Sequence, residues 1–228
     1  MTKQTMMKAV TLSVLICVQS GFSQSETASD NINYRWAFVA RSGENGNQKI
    51  GTVTQDTTLH SGDELKLYVC LEQQAYIYII YRGPKDELRI LFPYSLEMFD
   101  KDYKTQKNYY VPAGKTWLKL DEETGLETFY VIASTERLSK LEKALKRFAE
   151  ASVDSNSEAA VSVLREIKEI KNRFRNYSSP AERPIPIAGN VRGPDNVPFD
   201  VQRLDIARLA WHISADSFYS RTIAIDHR

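Results

Sequence analysis

ELKLYVCLEQQAYIYIIYRGPKDELRILF, residues 64–92, decides the fold. Three apolar runs, Leu65–Leu71, Ala75–Tyr81 and Leu88–Phe92, are rich in Tyr, Ile, Val and Leu, and Gln73-Gln74 and Gly83-Pro84 cut them apart. Short runs of this composition between turn residues are the pattern of antiparallel strands. The same grammar continues through Asn108–Val111, Thr116–Leu120 and Glu127–Ala133, broken at Pro112-Ala113-Gly114 and Glu123-Thr124-Gly125. Upstream, Tyr34–Ala40 alternates Trp36, Phe38 and Ala40 against Arg35, Ala37 and Val39, and Ile50–Val53 reads as a further short strand. At the far end, Phe218–Asp226 alternates cleanly and reads as a strand that returns to the sheet.

The composition changes at Ser134. Leu138, Leu141, Leu145 and Phe148 fall at steps of three and four, the mark of an amphipathic helix over 136–151 with Ser134 or Thr135 as its cap. A second helix, about Ser157 to Tyr177, carries Ala160, Val163, Leu164, Ile167, Ile170 and Phe174 on one side, with Ser157 as its cap. The short connection Ser152–Asn156 makes the pair a helical hairpin over 136–177. Five of the eight prolines lie in residues 178–200, an extended connector whose Ile185, Ile187 and Val191 hold it against the body. Asp200–Ser214 fits either a helix or a strand; its good helix formers favour a short helix capped by Asp200.

The fold class expected is therefore α+β. An antiparallel β-sandwich-like domain over 34–135 carries the two-helix hairpin, and residues 178–228 pack back on it through the last strand.

The first 23 residues read as a cleaved signal peptide: Lys3 and Lys8 precede Ala9–Val18, which is too short to span a bilayer, and Gly21-Phe22-Ser23 offers a cleavage site. Residues 24–33 are small and polar and are expected to form a disordered lead-in. The expected location is periplasmic or extracellular, with no transmembrane helix in the mature chain. Loss of two of the 30 basic residues leaves the mature chain slightly acidic against 29 carboxylates, which argues against nucleic acid as a partner. Of two cysteines, Cys17 leaves with the signal and Cys70 stays alone, so no intramolecular disulfide forms. Cys70 faces the opposite side of its strand from Leu65, Leu67, Val69 and Leu71 and reads as a small packed hydrophobe.

The chemistry-bearing residues form no recognisable motif. Ala113-Gly114-Lys115-Thr116 resembles the tail of a phosphate loop, but Tyr109 stands where the first glycine belongs and a strand follows in place of a helix. His60, His212 and His227 are scattered without metal-ligand spacing. Asp121-Glu122-Glu123 reads as a solvated hairpin tip. Tyr76, Tyr78, Tyr81, Tyr94, Tyr103, Tyr109, Tyr110 and Trp117 fill the sandwich core or form a stacking face, with core filling preferred. Arg183, Arg192, Arg221 and His227 form an anion site if the connector lies beside the last strand, or pair with Glu182, Asp200 and Asp226 to pin the tail. No catalytic, metal or cofactor residue is assigned.

Leu59-His60-Ser61-Gly62-Asp63-Glu64-Leu65, Ala75-Tyr76-Ile77-Tyr78-Ile79-Ile80, Leu91-Phe92-Pro93, Val111-Pro112 and Gly125-Leu126-Glu127-Thr128-Phe129 together resemble the bacterial domain of unknown function 4384 family over about residues 59–135. The resemblance implies a β-sandwich-like accessory module of exported or envelope proteins, and supplies no active-site residues. Two functions are expected to compete: a non-enzymatic module binding a protein or cell-envelope ligand, and a small periplasmic hydrolase with a spatially assembled site.

Overall fold

The computed structural model describes residues 31–43, 48–152, 156–175, 181–184 and 205–228. Residues 1–30, where the sequence predicts a signal peptide and most of a lead-in, lie outside the described residues, as do most of the proline-rich connector and Asp200.

Two β-sheets face each other across an apolar interior. The first is built from β1 (Ile32–Ser42), β2 (Lys49–Thr52), β4 (Glu64–Leu71), β7 (Tyr109–Val111), β8 (Leu118–Lys119), β10 (Ala181–Pro184) and β11 (Trp211–Ala215). Its strands run in the order β10-β11-β1-β4-β7, with β2 beside β1 and β8 beside β4. The second sheet has the order β3-β12-β9-β5-β6, from β3 (Thr57–Leu59), β5 (Tyr76–Arg82), β6 (Leu88–Phe92), β9 (Gly125–Ser134) and β12 (Phe218–His227). All pairs are antiparallel except β3 with β12.

The period-two alternation seen in the sequence is what fills the interior. Tyr34, Trp36 and Phe38 of β1, with Leu65, Leu67 and Val69 of β4, meet Ile77 and Ile79 of β5 and Phe129, Val131 and Ala133 of β9. From β12, Tyr219, Ile223 and Ile225 complete the same core. Cys70 lies on the other face of its sheet with Ala37, Val39 and Tyr68, buried under Ile206 and Ala210.

Helices α2 (Ser139–Glu150) and α3 (Asn156–Arg173) cover the outer face of the second sheet. Leu141, Ala144 and Leu145 of α2, with Val163, Ile167 and Ile170 of α3, close over Tyr78, Ile80 and Ile132. The hairpin's apolar stripe is thus consumed by the sheet. A short helix α1 (Met98–Lys101) sends Phe99 beneath the same junction.

Four details differ from the sequence reading. The first strand begins at Ile32, which is buried and pairs with Ala215, so the extended chain starts before Tyr34. Helix α2 begins after Leu138 without a side-chain cap, because Ser134 remains in β9 and its hydroxyl accepts from the Glu136 N–H. Helix α3 already includes Ser157, which is therefore not its cap. Within the described part of Asp200–Ser214, residues 205–214, a 3-10 turn, Ile206–Leu209, capped by Asp205, and then strand β11 stand where the sequence favours a helix. The β1 edge decides this. It offers a ladder to Trp211–Ala215 and buries Ile213 in the core, which outweighs local helix propensity.

Candidate functional site

The phosphate-loop look-alike is a turn whose carbonyls point inward. Lys66, only 5% exposed, donates from Nζ to Gly114 O at 2.7 Å and to Thr116 O. The ammonium sits between the rings of Tyr110 and Trp117, 5.9 and 6.0 Å from their centroids. Burial, and then the Arg41 guanidinium, push the Lys66 pKa below its ordinary value. A turn that gathers a cation with its carbonyls is the reverse of a phosphate cradle, which presents N–H groups.

The aromatics mostly fill space. Tyr78, Tyr103 and Tyr109 are buried, and Phe92, Phe99, Tyr76, Tyr103 and Tyr109 pack edge-to-face, tilted or, for Tyr103 on Tyr109, stacked between the sheets and α1. Tyr94 is the exception at 48% exposed, yet its hydroxyl donates to Tyr110 O.

The arginine–histidine cluster does not form on β12. Arg221 and His227 stand six residues apart on one extended strand, roughly 20 Å at the usual rise. Arg221 donates to Thr54 O, and Asp226 pairs with Arg228 at 2.7 Å. Arg192 and Asp200 lie outside the described residues, as do the side chains of Glu182 and Arg183. His212 joins a separate surface group: its Nε2 lies 2.9 Å from Glu72 Oε2, and Arg35 reaches Glu72 at 3.2 Å and Cys70 Sγ at 3.3 Å. His60 sits on an exposed turn, where its N–H donates to Asp63 Oδ2.

His227 is the histidine with a constructed environment. The inner face of the second sheet is apolar along most of its length, but at one end each of three neighbouring strands places a polar residue inward. These are Tyr81 of β5, Glu127 of β9 and His227 of β12. His227 is 2% exposed and Glu127 4%. His227 Nε2 lies 3.1 Å from Ser61 Oγ, and Nδ1 lies 2.8 Å from Glu127 Oε1. Serine, imidazole and carboxylate thus stand in a row. Burial pushes the Glu127 carboxyl above the ordinary range, with His227 and the Tyr81 hydroxyl pulling the other way.

The row lacks two parts of an acyl-transfer site. The Glu127 oxygen is close to Nδ1 but out of line with its N–H, so the contact is not an aligned hydrogen bond. The amides that would hold an oxyanion are occupied: Ser61 N donates to Arg228 O, Gly62 N to Leu120 O and Asp63 N to His60 O.

Beside this row the sandwich opens into a pocket of about 100 Å³. Leu65, Leu118 and Leu120 from the first sheet and its loop, with Leu91 and Phe129 from the second, make an apolar floor. Glu87, Arg89, Lys119, Asp121 and Glu123 stand around it, and Glu127 and Tyr81 line its inner side. The Asp121-Glu122-Glu123 tip is ordered by its own turn: Glu123 N donates to Asp121 Oδ1 at 2.8 Å, and Lys85 pairs with Glu123. A shallow depression of about 440 Å³, lined by Ser61, Gly62, Leu120 and Glu122, flanks the same loop.

The Leu59–Leu65 turn, the buried β5 and the β9 entry at Gly125 therefore frame one end of the sandwich. Residues 58–137 match the family model described as Domain of unknown function (DUF4384). The match covers about a third of the chain and ends at Arg137, where β9 has just given way to the helical hairpin. Strands β1, β11 and β12 lie outside it, so the matched segment contributes only part of each sheet. No curated protein matches the chain. Sequence reasoning missed Ser61, Glu127 and the pocket. The usable signal was alternation, which puts Glu127 and His227 on the same inner face as Phe129, Ile223 and Ile225.

No helix among the described residues is long and apolar enough to cross a membrane.

Proposed function

We propose that the protein is an exported, non-catalytic recognition module that binds a protein or cell-envelope ligand at the open end of its sandwich. The pocket between the sheets carries this reading: an apolar floor with a few convergent polar groups is the usual construction of a binding site. The Ser61–His227–Glu127 row serves as a latch that ties the end of β12 to the Leu59–Leu65 turn, and three successive amides used in backbone pairing support that role.

The test is site-specific photo-crosslinking of the full chain in envelope fractions. With p-benzoylphenylalanine in place of Lys119, at the pocket, adducts are expected; with the same group in place of Lys143, on the exposed face of α2, they are not. Equal yields from both positions, or none from Lys119, overturn the proposal.

A small hydrolase is the second reading, and the 3.1 Å approach of Ser61 Oγ to His227 Nε2 is the observation that favours it. It requires Ser61 to be acylated or phosphonylated by a serine-directed reagent.

A further inference from the structure

We infer that the inter-sheet pocket takes the side chain of a lysine or arginine projecting from a partner polypeptide. The inference rests on the recognition reading above and narrows it to a protein partner with a cationic anchor.

The slot between the sheets is small. Sites for drug-sized molecules and cofactors run to roughly 300–1,000 Å³, whereas this one holds about 100 Å³. That is room for one side chain. The floor of Leu65, Leu91, Leu118, Leu120 and Phe129 suits an aliphatic stem, and the surrounding groups suit a positive tip. Glu87, Asp121, Glu123 and Glu127 face the pocket against only Arg89 and Lys119, an excess of acidic groups around an apolar slot.

The chain supplies its own precedent. Lys85 is strongly exposed and pairs with Glu123, while its N–H donates to Glu87 Oε2 at 3.1 Å. An ammonium is thus already held against this rim by an exposed pair, which contributes little to stability and is readily exchanged. An incoming lysine whose stem is buried gains apolar contact that Lys85, lying outside the slot, does not. The flanking depression beside Ser61 and Gly62 continues the surface along the 119–122 loop and gives the rest of a partner segment a place to lie.

The test uses three acetylated, amidated pentapeptides, Gly-Ser-X-Ser-Gly, with lysine, norleucine or glutamate at X, titrated into the isotopically labelled full chain. Methyl shifts of Leu91 and Leu118 report the pocket. The lysine peptide is expected to saturate these shifts at a concentration at least about tenfold below the norleucine peptide, with the glutamate peptide weakest. The preference is expected to shrink as salt rises, as it must for charges near solvent. The surface pair Asp121→Asn with Glu123→Gln is expected to bring lysine and norleucine within about twofold. Equal binding of lysine and norleucine by the unaltered protein, or a lysine preference that survives that pair of substitutions, overturns the inference. If crosslinking from position 119 persists in either event, the recognition reading stands and only the cationic anchor is lost. If crosslinking is lost as well, both fall.

Discussion

The Tyr78 hydroxyl donates to Glu142 Oε1 at 2.7 Å and accepts from the Leu138 N–H at 3.1 Å. One phenol in the middle of β5 thereby joins the second sheet to the start of α2. Arg137 holds the same carboxylate at 3.0 and 2.7 Å and reaches Asp100 of α1 at 2.6 Å. The helical hairpin is fixed to the sandwich by a buried polar joint as well as by apolar packing.

Tyr78→Phe removes that joint with little change in volume. Glu142 keeps Arg137, so the main penalty is a buried Leu138 N–H left without an acceptor. The expected cost is about 2 kcal/mol. Urea unfolding measures it, and hydrogen exchange is expected to rise first in the opening turn of α2.

Lys66→Met tests the inverted phosphate-loop turn. Gly114 O and Thr116 O lose their shared donor, and the expected destabilisation is on the order of 2 kcal/mol. Exchange at Lys115–Leu118 is expected to quicken while β4 keeps its protection. Inorganic phosphate is expected to give no stabilisation of either protein in a thermal shift.

Glu127 gives a pH dependence with a definite sign. Its carboxyl is raised in the folded state, chiefly by burial, above an unfolded value of about 4.3. The native state therefore binds the proton more tightly than the unfolded state between those two values. Relative to Glu127→Gln, the unaltered protein is expected to gain stability as pH falls through its folded pKa, and to lose that gain as pH rises through it. Unfolding free energies of both proteins across the mildly acidic range show the sign. A difference that grows with rising pH contradicts the assignment.

The fold was legible in proportion to how strictly each segment alternates. β4 places Leu65, Leu67, Val69 and Leu71 at every second position, and β5, β9 and β12 carry shorter alternating apolar stretches, Ile77 and Ile79, Phe129 and Val131, and Ile223 and Ile225, that a strand buries on one face. β3 has three residues and pairs in parallel with β12, a contact made across the chain that leaves no local signature. β11 was misread because Arg203, Leu204, Ala207 and Arg208 favour a helix locally, whereas the β1 edge is visible only in three dimensions. Nothing in the sequence joins Ser61 to His227 across their separation in the chain. What could be read was narrower: a histidine following Ile223 and Ile225 on the inner face must find a partner once buried.

Ser61 decides between latch and catalyst. Treating the full chain with a fluorophosphonate probe, followed by mass measurement of the intact protein, is the most direct trial. The latch predicts no adduct at Ser61 after prolonged exposure, together with a loss of about 1 kcal/mol of stability in Ser61→Ala. Stoichiometric phosphonylation of Ser61, abolished by His227→Gln, would contradict the account and establish a serine nucleophile.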